Sequence, residues 1–359
     1  MQVGGFGLGC VKLGSAGAGG PRAGVRLVHE ALDQGVRFFD TADAYGAGTS
    51  ERVIGEALRG RRHGVTIATK GGYRFAERSA GERALRNAVA PALRRARALR
   101  RAAPDVAPPV AATPDVATPD LATPDLATSD VLAPAAGAYA ERDLSPAYLR
   151  TAVEGSLRRL GTDHVDIYQL HGPGEVCHDD VVSLMVDLRT EGKIGAFGVG
   201  LEALDRALDW LAVDGLAWMQ LPFGVLDPEA GRTIIPAAHE RGVRVIARGV
   251  FAAGLLAGGS PGAEALLRPE QRPLRAEVLQ VAAAHGVEPL RLAAWFARSQ
   301  PGVHTVLVGV SSSRHLEQNL AHLRADAPPG AALAALAATL ARHIGAPLAP
   351  GAAEGVDDP

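Results

Sequence analysis

The sequence predicts an α/β protein built as a single (β/α)8 barrel, interrupted by one long insertion after the third strand. Three observations carry this expectation. Short apolar runs rich in β-branched residues recur along the 359-residue chain. Amphipathic helical segments separate them, and a glycine closes one helical segment after another just before the next run.

The first strand is expected near the start, in GFGLG, and the next at VRFFD (36–40) and VTIATK (65–70). Then follow VDIYQLH (165–171), IGAFGVG (194–200), AWMQLPF (217–223), VRVIARG (243–249) and TVLVGV (305–310). Each run is apolar without strict alternation, the pattern of a strand covered on both faces. The intervening helices are expected at 24–35, 50–60, 146–161, 179–192, 201–212 and 229–242, with Gly35, Gly60, Gly161, Gly192 and Gly242 just past the last turn of five of them. Eight strand–helix units at this length close into one barrel, so residues 1–345 read as one domain.

One interval departs from the alternation. A basic, helix-prone run (81–102) leads into a TPD(V/L)A repeat, and the low-complexity insertion is placed at 103–138. Regularly spaced proline and small residues offer no packing face, so this insertion is expected to be extended and disordered, like the tail at 346–359.

Composition narrows the function. With 37 basic and 39 acidic residues the formal charge is -2, which gives no field for nucleic acid or a membrane surface. A small molecule is the expected partner. No apolar run approaches the length of a membrane span, the start MQVGGFGLGC lacks a signal-peptide layout, and two cysteines, Cys10 and Cys177, make no disulfide framework. A cytoplasmic protein is expected.

Barrels of this kind place their chemistry at the C-terminal ends of the strands. There the second strand delivers Asp40, with Tyr45 in the loop behind it, the third delivers Lys70 and the fourth His171. A tyrosine has an ordinary pKa near ~10, which a neighbouring ammonium lowers. Lys70 can supply that charge, Asp40 can hold the lysine charged, and His171 can bond a substrate oxygen beside the tyrosine hydroxyl. Taken singly, each has a structural reading as a cap, strand end or loop packer. Together they make a proton donor poised at a carbonyl oxygen. A metal site built from His171, His178, Asp40 and Asp43 is not expected, because the two histidines straddle a Gly-Pro turn.

The strings FDTADAYGAGTSERVIGEAL, ATKGG and LRRLGTDHVDIYQLHGP resemble the aldo-keto reductase signatures. The resemblance runs from about Gly7 to Leu323, apart from the insertion. It implies an NAD(P)H-dependent carbonyl reductase, or the reverse alcohol oxidation, in which Asp40, Tyr45, Lys70 and His171 form the catalytic tetrad with Tyr45 as the acid. The alternative it leaves is a cofactor-binding regulatory subunit of the same fold with little turnover.

The resemblance also implies cofactor positions: Gln220 for the nicotinamide amide, and Arg248 in place of a stacking aromatic ring. Gly249, Gly254 and Leu255 would lie along the pyrophosphate, and Gly309, Ser311, Ser312, Arg314, Gln318 and Asn319 around the adenosine phosphate. Two departures stand out. Gly200 and Leu201 occupy the place of the family's serine and asparagine, and Ser312 stands where relatives often carry an arginine for the 2′-phosphate. NADPH is favoured over NADH, with Arg314 or the hydroxyls of Ser311 to Ser313 replacing that arginine. The ends of the insertion, near Tyr73, Phe75 or Tyr139, are expected to line the substrate mouth.

Overall fold

A computed structural model describes residues 5–75, 141–176, 179–257 and 267–345. The basic run, the TPD repeats, Tyr139, Cys177, His178 and the tail lie outside the described residues.

Eight parallel strands close into a TIM-type barrel: β1 (Phe6–Gly9), β2 (Phe38–Asp40), β3 (Thr66–Gly71), β6 (Val165–His171), β7 (Ile194–Gly200), β8 (Leu216–Pro222), β9 (Arg244–Arg248) and β10 (Val303–Gly309). Two short strands, β4 (Tyr73–Arg74) and β5 (Glu141–Arg142), pair antiparallel outside the barrel and bracket the interval that holds the insertion. The order around the barrel follows the sequence, β1 closing on β10, as strand–helix–strand repetition requires.

Side-chain parity sets up the site. Phe38, Ala68, Ile167, Trp218, Ile246 and Leu307, each on a different strand, form one buried layer inside the barrel. Successive side chains on a strand alternate faces, so the residues two positions further along also point inward, one layer nearer the C-terminal mouth. Those residues are Asp40, Lys70, Gln169, Gln220, Arg248 and Gly309. The apolar layer beneath is a dry floor, and Trp218, fully buried there, belongs to it. Trp210 is also fully buried, in the surrounding core.

Helix ends follow the sequence signals. Ser145 caps the helix Pro146–Leu160, its hydroxyl accepting from the Tyr148 N–H at 3.4 Å, and Pro146 sits where its missing N–H costs nothing. Gly161 ends that helix at φ +66°, and Gly35, Gly60, Gly192 and Gly242 share the positive sign.

Two helices differ from expectation. Of 201–212 only Ala207–Trp210 is helical. The Leu201 N–H continues the sheet by donating to the Gln220 carbonyl at 2.7 Å, and the Leu201 carbonyl accepts from Arg248, so no helical turn starts there. The segment 229–242 resolves into a 3-10 turn, Glu229–Gly231, and a helix, Ile234–Glu240. Pro236 has no N–H to donate and is tolerated only in a first turn, which fixes the helix start.

Helices Gln271–Ala284, Pro289–Ser299 and Gly330–Ile344 extend the expected set and build a second apolar cluster with Leu255 and Leu256. That cluster anchors the loop after β9.

The helix Thr49–Ala57, which carries the chain away from Tyr45, lies against the end of Pro146–Leu160 at Gly55. A β-carbon on Gly55 would stand 2.4 Å from the Leu160 carbonyl oxygen, and backbone cannot yield as a side chain does. Gly55→Ala is therefore expected to destabilise the fold by about 1–3 kcal/mol in urea denaturation. An unchanged midpoint would refute this close approach.

Candidate active site

The strand ends bring Asp40, Tyr45, Lys70 and His171 together as the sequence predicts. Lys70 is 1% exposed, and its ammonium donates to both Asp40 oxygens at 2.8 and 2.7 Å, to the Thr41 carbonyl at 2.9 Å and to the Tyr45 hydroxyl at 3.5 Å. Backbone bonds from Thr41 N–H to Ala68 and from Asp43 N–H to Lys70, 2.8 and 3.0 Å, tie the Tyr45 turn to β3. The His171 ring meets Tyr45 edge-on, with centroids 5.6 Å apart.

Electrostatics differ from the sequence expectation at one point. Burial pushes the Tyr45 phenol above its ordinary value and outweighs the opposing pull of Lys70, with Asp40 adding to the upward shift. Burial disfavours the Lys70 ammonium too, yet Asp40 and Tyr45 outweigh that and hold it protonated. His171 is driven well below its ordinary range by burial, reinforced by Lys70, Arg248 and Arg142, and is a neutral imidazole. The set thus offers a protonated phenol, a fixed cation and a neutral histidine.

Gln169, which is not among the residues singled out from the sequence, belongs to the same layer. It is fully buried and donates to Asp40 Oδ1 at 3.3 Å, adding a second side-chain donor to the carboxylate. The only signal was parity: it stands two residues before His171 in DIYQLH.

Behind the turn, Glu51 is fully buried and paired with Arg159 at 2.6 Å, and it accepts from Thr69 at 2.6 Å. This anchors the helix after Tyr45 to β3. Phe75 packs beneath the Arg159 guanidinium, with 5.7 Å from its ring centroid, whereas Tyr73 reaches the His171 ring.

The residues expected around a cofactor fall into two groups. Gln220 is 2% exposed, and its amide nitrogen has no hydrogen-bond partner among the described residues. Arg248 donates to the Leu201 carbonyl at 2.9 Å, spanning the end of β8. Gly200 leaves its β-carbon space beside Gln220 and Lys70, whose nearest atoms would each be 3.4 Å away. In the loop after β9, Gly249 has open space where a side chain would project, while the N–H groups of Gly254 and Leu255 bond back to Phe251 and Ala252. Leu255 itself packs into the second apolar cluster.

At the end of β10, Ser312 caps the helix Ser313–Arg324, its hydroxyl accepting from the His315 N–H at 3.3 Å. Ser311 bonds the His315 ring at 2.9 Å, and Asn319 donates to the Gly309 carbonyl at 3.1 Å, closing the strand–helix turn. Arg314 and Gln318 are exposed beside this helix start. Among the described residues, no group of three or more His, Cys, Asp or Glu could hold a metal ion, and no helix is long and apolar enough to cross a membrane.

Comparison with known proteins places this geometry. The model of the Aldo/keto reductase family matches residues 6–107 and 136–328 and passes over the centre of the insertion. The uncharacterized oxidoreductase Rv2298 of Mycobacterium tuberculosis is 29% identical over 344 residues, covering 89% of this chain and 84% of that protein. The uncharacterized oxidoreductase YqkF of Bacillus subtilis is 26% identical over 71% of this chain. The match spans 63% of YqkF and 60% of the Bacillus subtilis aldo-keto reductase YhdN, less than two thirds of either.

Among solved structures, the holo form of aldo-keto reductase AKR11C1 from Bacillus halodurans superposes with a TM-score of 0.68 at 24% identity, covering 94% of this chain and 92% of that one. An aldo-keto reductase from Klebsiella pneumoniae in complex with NADPH superposes at 0.60 and 21% identity, covering 96% and 92%. At these identities the likeness is one of fold.

Proposed function

The chain belongs to the aldo/keto reductase family, whose members are generally NAD(P)H-dependent oxidoreductases, and on that premise we propose that it reduces an aldehyde or ketone to an alcohol, or runs the reverse oxidation. The observation that carries the reading is the Lys70 ammonium fixed between Asp40 and the Tyr45 hydroxyl on the dry barrel floor.

The residues present fit a nicotinamide cofactor. The unpartnered amide nitrogen of buried Gln220 is a donor waiting for a carboxamide oxygen, and an unpaired buried donor is costly unless a ligand satisfies it. Arg248 offers a planar face beside it. The helix start at Ser312 and Ser313, with exposed Arg314, offers N–H groups and positive charge to a phosphate. This supports NADPH over NADH.

When bound, the nicotinamide supplies the hydride. Tyr45 gives its proton to the carbonyl oxygen as charge develops there, and Lys70 stabilises the phenolate left behind. Asp40 and Gln169 keep the ammonium aimed at Tyr45. His171, neutral, donates a hydrogen bond to the same substrate oxygen and so sets which carbonyl geometries reach the phenol. The substrate is a small carbonyl or alcohol compound taken at the barrel mouth.

Single-turnover oxidation of bound NADPH, and separately NADH, against a panel of aldehydes and ketones tests the proposal. Burst oxidation faster with NADPH is the expected result. Tight binding without turnover on any member would favour a regulatory subunit, the reading that Gly200 and Leu201 keep open by removing two side-chain contacts to the nicotinamide.

A further inference from the structure

We propose that Tyr73 is a positioning residue for His171: its ring covers the imidazole and fixes its plane beside Tyr45, and Arg142 and Glu202 hold that ring in place. The proposal rests on the role given to His171 above.

Tyr73 stands directly before the interval holding the insertion and Arg142 directly after it, joined as a β4–β5 pair. The Tyr73 ring meets His171 edge-on at 5.0 Å and 81°, so the imidazole is flanked by two tyrosines, Tyr45 and Tyr73, both nearly perpendicular to it. Edge-on contacts of this kind favour one ring orientation over others.

The Tyr73 ring is itself fixed at both ends. Its hydroxyl donates to Glu202 Oε1 at 3.2 Å and accepts from Arg142 Nη2 at 3.1 Å, while the Arg142 guanidinium lies 5.4 Å from the ring centroid. Its backbone carbonyl accepts from the Tyr148 hydroxyl at 2.6 Å, and Arg74 donates at 2.8 Å to Asp143, which directly follows β5. Gly172, at φ +55°, makes room for the arrangement: a β-carbon there would stand 2.8 Å from the Tyr73 hydroxyl and 2.9 Å from Glu202. A histidine loop that leaves a hole for a tyrosine hydroxyl is built around that tyrosine.

The charged groups facing the imidazole are Lys70 from β3, Arg248 from β9 and Arg142 from β5, with Tyr45 beside it and Glu202 reaching it through Tyr73. Burial disfavours an imidazolium most, the three cations add to it, and the cover by Tyr73 is part of that burial. Removing the ring therefore lets the histidine titrate.

The test follows the His171 ring by NMR in the chain without nucleotide, assigned against His171→Gln, across pH 5 to 8. The wild type is expected to show no titration in that window. In Tyr73→Ala a midpoint moving toward about 6.5 is expected, while Tyr73→Phe, which keeps the covering ring and its guanidinium contact but loses the hydroxyl's two partners, shifts less. In turnover, Tyr73→Ala should lose about tenfold in kcat with nucleotide affinity unchanged, and Tyr73→Phe should stay within about threefold.

A silent His171 in Tyr73→Ala overturns the proposal, as does a Tyr73→Phe that behaves like Tyr73→Ala. Because the titration needs no turnover, its result stands apart from any failure of the reductase reading.

Discussion

Tyr45→Phe is expected to lower kcat by about 10²–10⁴-fold while nucleotide affinity changes little. The substitution removes one oxygen and the proton that Tyr45 transfers to the substrate. The ring remains, with its edge contact to His171 at 5.6 Å, and so does the turn that carries it, whose bonds are backbone to backbone. Lys70 keeps Asp40 and the Thr41 carbonyl as partners, so no buried charge is stranded. The loss should therefore fall on the chemical step. Burial holds the Tyr45 proton above its ordinary range, so the wild-type acid is loaded throughout neutral pH and its rate should fall only on the alkaline side. Fluorescence titration of NADPH alongside single-turnover oxidation separates the two effects. Turnover within a few-fold of wild type would remove Tyr45 from the acid role and turn attention to His171.

What the sequence could show of this site depended on parity along strands. Asp40, Lys70 and His171 were legible because each is the ionisable end of an apolar run, and such an end has only the barrel mouth to face. Gln169 obeys the same parity, yet a neutral amide inside a strand carries no flag until its 3.3 Å bond to Asp40 is seen. The Tyr45 shift runs opposite to the expected direction because the sequence pairs a lysine with a tyrosine but does not show how deeply the phenol is buried, and burial is the largest influence on it. The helix expected at 201–212 had the right periodicity, but both Leu201 backbone groups are taken by strands β8 and β9, a tertiary claim that local pattern cannot register. The Tyr73–Arg142 contact joins residues 69 apart across a low-complexity segment, where neither spacing nor periodicity carries information.

The buried ion pair yields the second large effect. Lys70→Met is expected to cost about 3–5 kcal/mol of stability at pH 7, with loss of turnover, because a buried Asp40 is left with Gln169 as its remaining side-chain donor. Asp40→Asn strands the ammonium in the same way and should cost a similar amount. Removing both charges is a different matter. The double variant leaves two neutral groups on an apolar floor, and replacing a buried pair by neutral side chains is often close to neutral for stability. The double-mutant cycle in urea should therefore be far from additive, with the double variant more stable than either single one, yet inactive. The pH dependence has a fixed sign. The folded state raises the Lys70 proton affinity above its ordinary 10.5, so the pair's contribution is complete below that value and fades as pH climbs through the higher folded value. Wild type should accordingly lose stability relative to the double variant in strongly alkaline urea series, where the pair's contribution fades. Additive single effects would mean that Asp40 and Lys70 act separately, and the arrangement that aims the ammonium at Tyr45 would lose its basis.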